Sequence, residues 1–361
     1  MNNRPQTLRY RSGTTRLPVF LPDATRAVLK SLDTEDLKAC GIEALMVNAF
    51  HLMSDPGTTV IESAGGVKKF MRWDRLTASD SGGFQLLSMI YRDKSAGKVS
   101  DEGVVFHRSS GSGKKKYSLT PESSIQIQFA LGTDQFFCLD DCPPAGAKPE
   151  TGEQSVKRTV EWGKRCRDEF QKQVEARKLS PENRPLLFAI IQGANDRRLR
   201  EQCYKGLSSG GGFDGFGFGG WPLDEQGKPD LGILGFVASL VPMELPRFAL
   251  GVGSPGALEE GYRLGYDIFD CTMPSRDARH GRLYLLGQDG LKCSSINIKK
   301  EDFVRDNRPV SESCDCLTCK KYSRSYVSHL FAVEDPLSAR LSTIHNMRTW
   351  ARMMERLRAG N

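Results

Sequence analysis

A repeating strand–helix rhythm narrows the possible folds of this chain more than any other feature. From about residue 130, short apolar runs alternate with amphipathic stretches. Phe136–Leu139, Leu186–Ile191, Phe213–Phe218, Phe248–Val252 and Ile268–Phe269 read as strands. Gly152–Arg177, Asp196–Leu207, Leu231–Leu240 and Ala257–Leu264 read as helices, and Ala44–Asn48 and Leu76–Ser79 add strands upstream. Short strands separated by single helices pair in parallel, because each return path needs a crossover. Asp80, Asp140, Gln192, Gly219–Gly220 and Asp270 each follow a predicted strand. Polar residues at the C-terminal ends of many strands describe the working face of a (β/α)8 TIM barrel, whereas an open sheet draws mainly on one switch point. The expected fold is therefore α/β, with a barrel over residues 1–291 that carries an N-terminal extension. Val99–Tyr117, around HRSSGSGKKK, reads as an inserted hairpin with a basic tip.

Past about residue 292 the rhythm breaks. Residues 292–361 are expected to form a metal-stapled subdomain ending in a helix over Pro336–Arg358. Seven of the ten cysteines are scattered, while Cys314, Cys316 and Cys319 form a CxCxxC cluster followed by His345. Scattered thiols with one tight cluster suggest a reducing compartment and a metal. Three thiolates and an imidazole fill a tetrahedral zinc shell and leave no position for water, so one structural Zn2+ per chain is expected. His329 is the competing fourth ligand. The plainer alternative is three buried thiols and a histidine on a helix surface.

The formal net charge is +7, from 51 Lys and Arg against 44 Asp and Glu, which permits a polyanionic partner without requiring one. Basic residues cluster at Lys114–Lys116 and at Lys299, Lys300, Lys320 and Lys321. No run approaches the roughly 18–20 apolar residues of a membrane span, and the Arg-rich start lacks a signal-peptide core, so a cytoplasmic location is expected.

Two acidic motifs carry the chemistry. Asp80-Ser-Gly-Gly-Phe-Gln85 places a carboxylate before two glycines, which let the backbone approach a flat ligand closely, although a helix cap would also use such an acid. Asp270 lies in FDCTMPSRDARHG, with Arg276 and Arg279 behind it as either a structural ion pair or a phosphate grip. DSGGFQ, Gln192-Gly193, Gly219-Gly220, FDCTMPSRDARHG and the Cys cluster with its histidine occur in an order that resembles the tRNA-guanine transglycosylase family over nearly the whole chain. The chain is most similar to the bacterial, single-barrel form.

This resemblance implies a barrel with a zinc subdomain, a homodimer, and exchange of the wobble guanine in GUN anticodon loops of tRNA for a 7-deazaguanine base. It implies that Asp270 is the nucleophile and Asp80 the general acid/base. Asp140, Gln192, Gly219 and Gly220 would read the base edge, and Phe84 and Leu250 would sandwich its ring. Arg276 and Arg279 would contact the tRNA backbone and help keep Asp270 ionised. Trp221, Pro222 and Leu223 depart from the small residues usual after the glycine pair; together with Glu225 and Cys142 they favour 7-aminomethyl-7-deazaguanine over queuine. Asp141 replaces a more usual Glu. His51 fits a pocket wall or the core equally well. The rival readings are a DNA-modifying relative, a non-catalytic partner subunit, which the presence of both acids disfavours, and a zinc-stabilised barrel acting on a small nucleoside or sugar, which Arg276, Arg279 and the basic loops disfavour.

Overall fold

The computed structural model describes residues 4–110, 113–144, 146–220, 230–288 and 291–360, with side chains 108–110 and 113–115 left aside. Eight parallel strands form its centre: β1 (Val19–Pro22), β2 (Ala44–Val47), β3 (Leu76–Ser79), β4 (Gln135–Phe137), β5 (Leu186–Ile191), β6 (Gly215–Phe218), β7 (Arg247–Ala249) and β8 (Ile268–Cys271). Each pairs with its neighbours in chain order, and β8 returns to β1. Backbone bonds from Ala24 N–H to Met46 O (2.7 Å) and from Asn48 N–H to Thr25 O (3.2 Å) join β1 to β2 and close the ring. The structure thus bears out the (β/α)8 reading.

Closure explains the strand sequences. In β5, Phe188 and Ile190 face a lumen filled with Val19, Leu21, Met46, Phe137 and Phe248, while Leu187, Ala189 and Ile191 face the surrounding helices. A strand buried on both faces has no polar alternation to show, so it reads as a continuous apolar run. The glycines of β6 follow from the bulk of β5. A Cβ on Gly215 would lie 2.5 Å from the Phe188 ring, and one on Gly217 would lie 2.9 Å from Ile190. Leu8 and Tyr10, from the N-terminal strand pair Thr7–Tyr10 and Gly13–Arg16, join the lumen cluster and plug its lower end. With the lumen packed, the barrel can hold a ligand only above the strand C-termini.

The insertion after β3 is larger than the expected hairpin. Gly97–Ser100, Gly103–Ser110 and Gly113–Leu119 form a three-stranded antiparallel sheet. The extra strand is short and only half-buried, so it left no alternation to detect.

Arg282–Leu286 and Cys293–Asn297 pair antiparallel across residues 291 and 292. The final helix, Leu337–Ala359, lies against the barrel. Trp350 Nε1 donates to Gly253 O (2.9 Å), Arg358 pairs with Glu43 (2.7 Å) and Arg340 with Asp36 (2.6 Å). Among the described residues, no helix is long and apolar enough to cross a membrane.

Candidate active site

A cavity of about 520 Å³ opens above the strand ends, and Asp80, Phe84, Asp140, Gln192, Gly219, Gly220, Leu250 and Asp270 all line it. The sequence singled out each of these eight as a site residue. Barrel closure brings them together from six strand ends that are far apart along the chain.

Asp80 immediately follows β3. Its Oδ1 accepts from the backbone N–H of Ala49 (2.9 Å) and of Gly82 (3.0 Å), and its Oδ2 accepts from Asn48 Nδ2 (2.6 Å). Gly82 adopts a φ of +77°, and a Cβ there would stand 3.0 Å from Phe50 N, so the turn that presents the Asp80 carboxylate needs a glycine. Asn48 is held in turn, because its Oδ1 caps the helix Ala49–Ser54 at His51 N–H (2.8 Å). His51 sits in that helix and does not line the cavity.

Asp270 is the penultimate residue of β8 and accepts from Gly251 N–H (2.9 Å). Burial pushes both Asp80 and Asp270 up to about 7, against the hydrogen bonds that favour their ionised forms. Both open onto the cavity, yet the surrounding protein strips away enough water to disfavour charge. Asp80 and the nearby Asp23 each raise Asp270 further. The expectation that arginines keep Asp270 ionised is therefore not met. Arg276 and Arg279 lie on the short helix Met273–Arg279, outside the cavity lining. Arg276 is exposed and pairs with Asp277 at 3.1 Å.

Across the cavity, Gln192 Nε2 donates to Asp140 Oδ2 (2.6 Å), while the buried Gln192 Oε1 has no partner. Burial pushes Asp140 up to about 6. An unpartnered buried carbonyl beside a carboxylate suits a ligand that brings its own N–H donors. Gly219 is required here, since a Cβ would come within 2.4 Å of Gln192 Nε2. Phe84, 47% exposed, and the half-buried Leu250 supply apolar surface on the cavity wall. Cys142 lines it too, its thiol pushed up to about 12 by burial. Asp141 is fully buried elsewhere, between Arg158 Nη1 (2.6 Å) and Tyr91 OH (2.8 Å). Trp221, Pro222, Leu223 and Glu225 lie outside the described residues.

Two residues escaped the sequence reading, the buried Arg200 and the half-buried Asp23. Arg200 donates through Nη1 to Gly219 O (2.7 Å) and through Nε to Ala194 O (2.8 Å), and stacks 4.3 Å from the Phe218 ring centre. It therefore braces the glycine turn from behind. In the sequence it hides within the basic run Arg197–Arg200 of an amphipathic helix. Asp23 follows β1 directly and lines the cavity.

The second cluster lies away from the cavity. One ligand atom from each of Cys314, Cys316, Cys319 and His345 falls within 4.8 Å of the others. His345 Nδ1 is 3.2 Å from Cys319 Sγ and 3.7 Å from Cys316 Sγ. These spacings match the edges of a tetrahedron around an ion about 2.0–2.3 Å from each ligand. Tyr284 O, 2.8 Å from His345 Nε2, fixes the tautomer that offers Nδ1 to a metal. His329 is exposed on another helix and is not part of the group.

Comparison with known proteins agrees with this geometry. The family model described as Queuine tRNA-ribosyltransferase matches residues 1–360. Proteins of that name are similar throughout. The one from Psychrobacter cryohalolentis is 37% identical over 355 residues, covering 98% of this chain and 88% of the relative. Those from Shewanella denitrificans and Bacillus subtilis are 40% and 38% identical, each over 347 residues, covering 96% of this chain and 86% and 85% of the relative. A closed barrel with two acids facing one cavity, a Cys3His cluster and a match along nearly every residue lead to one conclusion: this chain belongs to the queuine tRNA-ribosyltransferase family, a family of pentosyltransferases that act on tRNA guanine.

Proposed function

We propose that the cavity exchanges the wobble guanine of GUN-anticodon tRNAs for 7-aminomethyl-7-deazaguanine through a ribosyl ester on Asp270. The observation that carries this reading is the pair Asp80 and Asp270, both facing one cavity and both titrating near neutrality. Acids raised this far by burial are partly protonated around pH 7, so one can be ionised while the other carries a proton. The ionised Asp270 attacks C1′ of the ribose as the C1′–N9 bond breaks, and the guanine leaves with the proton of Asp80. The incoming base then returns its N9 proton to Asp80 and displaces the Asp270 carboxylate from C1′. Two inversions give retention, as in retaining glycosidases.

Asp140 and Gln192 receive the N–H donors of the base edge, Gly219 and Gly220 let the ring approach the backbone, and Phe84 and Leu250 cover its faces. The target must leave its stack, which an anticodon loop makes inexpensive. Arg276 and Arg279 meet the phosphates beside it, and Glu225 pairs with the aminomethyl cation. The Cys3His group holds one Zn2+, which adds a structural clamp between the loop and the last helix. The protein works in the cytoplasm as a homodimer.

Mass spectrometry of tRNA after incubation with 7-aminomethyl-7-deazaguanine or queuine, with duplex DNA as a parallel substrate, tests this proposal. The expected product is tRNA carrying the aminomethyl base at the wobble position. Incorporation of queuine alone would overturn the choice of base, and incorporation into DNA alone would overturn the choice of nucleic acid.

A further inference from the structure

Asp23 has no part in the base exchange described above, yet it occupies the same cavity as the two reacting acids. Strand pairing fixes its place. Asp270 lies opposite Leu21 in the parallel register of β8 with β1, so Asp23 sits two residues further towards the mouth. That is about 6–7 Å along the strand. On its other side Asp23 bridges to Met46 of β2, and Asn48, the residue that holds Asp80, directly follows β2. Going round the rim, Asp270, Asp23, Asn48 and Asp80 therefore occupy four successive strand ends.

The Asp23 carboxylate is oriented by the Thr25 hydroxyl, which donates to Oδ1 at 2.8 Å. Turn chemistry accounts for that contact but not for an acid in this position. Burial raises Asp23, and its charge opposes the ionisation of both Asp80 and Asp270. A fourth acid is costly in a cavity that already holds Asp80, Asp140 and Asp270, unless a ligand brings it a further donor. The unpartnered Oε1 of Gln192 marks the same cavity as one that waits for donors.

The target nucleotide has one sugar donor to offer. Within a chain, the 3′ and 5′ oxygens are tied up in phosphodiesters, which leaves the 2′-hydroxyl. That group projects from the carbon next to C1′, on the face opposite the base. The nucleophile must approach C1′ from this same face. An acceptor for the 2′-hydroxyl therefore belongs beside the nucleophile, one strand away and nearer the mouth, where Asp23 stands.

We propose that Asp23 accepts a hydrogen bond from the 2′-hydroxyl of the target nucleotide, so that the cavity itself distinguishes RNA from DNA. The 2′-hydroxyl is the group that separates the two at a single site. This inference rests on the base-exchange reading.

The test uses two RNA stem-loops that differ only in carrying guanosine or 2′-deoxyguanosine at the target. Incorporation of labelled guanine is measured for the wild type, Asp23→Val and Asp23→Asn. A hydrogen bond to a charged acceptor predicts that the wild type favours the ribonucleotide by roughly ten- to hundredfold in kcat/KM. Asp23→Val should bring that ratio to within a few-fold of one, because any change made through the charge on Asp80 and Asp270 falls on both substrates alike and cancels in the ratio. Asp23→Asn, which keeps an acceptor of the same shape, should retain part of the preference and covers the case in which the valine variant fails to fold. An unchanged ratio in both variants overturns the proposal. An equal loss on both substrates also overturns it, because Asp23 would then act only through its charge on the other two acids. Failure of the wild type to exchange guanine in the ribonucleotide stem-loop would instead sink the base-exchange reading.

Discussion

The barrel mouth and the Cys3His cluster treat buried polar groups in opposite ways. In the cluster, four ligand atoms converge on one point and the histidine is fixed from behind by Tyr284 O, so the group is complete once an ion is supplied. At the mouth, Asp23, Asp80, Asp140 and Asp270 share a cavity in which burial raises all four, and Gln192 Oε1 has no partner. The cluster satisfies its polar atoms within the chain, while the mouth leaves its own to a substrate. Stability and reactivity are therefore assigned to different ends of the same scaffold, and a substitution should damage one without the other.

The sharpest way to break that comparison is Asp270→Asn. Exchange of labelled guanine into tRNA should fall by roughly ten-thousandfold or more, as expected when a covalent nucleophile is removed. Stability should move the other way. With Asp270 raised from 3.8 to about 7 in the folded chain, the native state binds more protons than the unfolded state between those values. Its contribution to stability is thus full below about pH 4 and lost as the pH rises through 7. Asn escapes this loss, so thermal melts at pH 8 should show the variant more stable by about 1–3 kcal/mol, with the gap closing towards pH 5. A variant less stable than wild type at pH 8 would mean that the carboxylate is not held against its charge.

Cys316→Ala should produce the reverse pattern. Metal analysis of the purified protein should show the bound ion lost, and denaturant unfolding should show a cost of more than about 4 kcal/mol. The fraction that remains folded should still exchange guanine, since the cluster does not line the cavity. A full loss of activity in folded protein would join two sites that the structure separates.

The smallest effect is expected at the rim. Arg276→Ala should weaken tRNA binding several-fold and lower the slope of log affinity against log salt by about one, with kcat little changed. A large fall in kcat at saturating tRNA would instead tie Arg276 to the ionisation of Asp270, against its pairing with Asp277.

Legibility in the sequence followed locality. The metal ligands were readable because three of them lie within six residues, Cys314 to Cys319, and thiol spacing alone narrows their chemistry. The end of β5 was readable because Leu186–Ile191 is an unbroken apolar run followed by Gln192. The third strand of the insertion was not, since Gly97–Ser100 is too short and too exposed to alternate. Arg200 was missed because a buried arginine and its exposed neighbours look alike inside a basic helix. Asp23 was missed because an acid after Pro22 is ordinary turn chemistry until β1 is known to lie beside β8.

By itself the sequence determined the class of fold, the ligands of the cluster and most of the residues offered at the strand ends. These depend on periodicity and spacing, which are properties of neighbours along the chain. Only the tertiary structure decided how those residues act together. Closure of β1 onto β8 sets Asp23 beside Asp270, and the water excluded from the cavity lifts Asp80 and Asp270 to neutrality. Burial and electrostatic coupling depend on distances through space, and those exist only once the ring has closed.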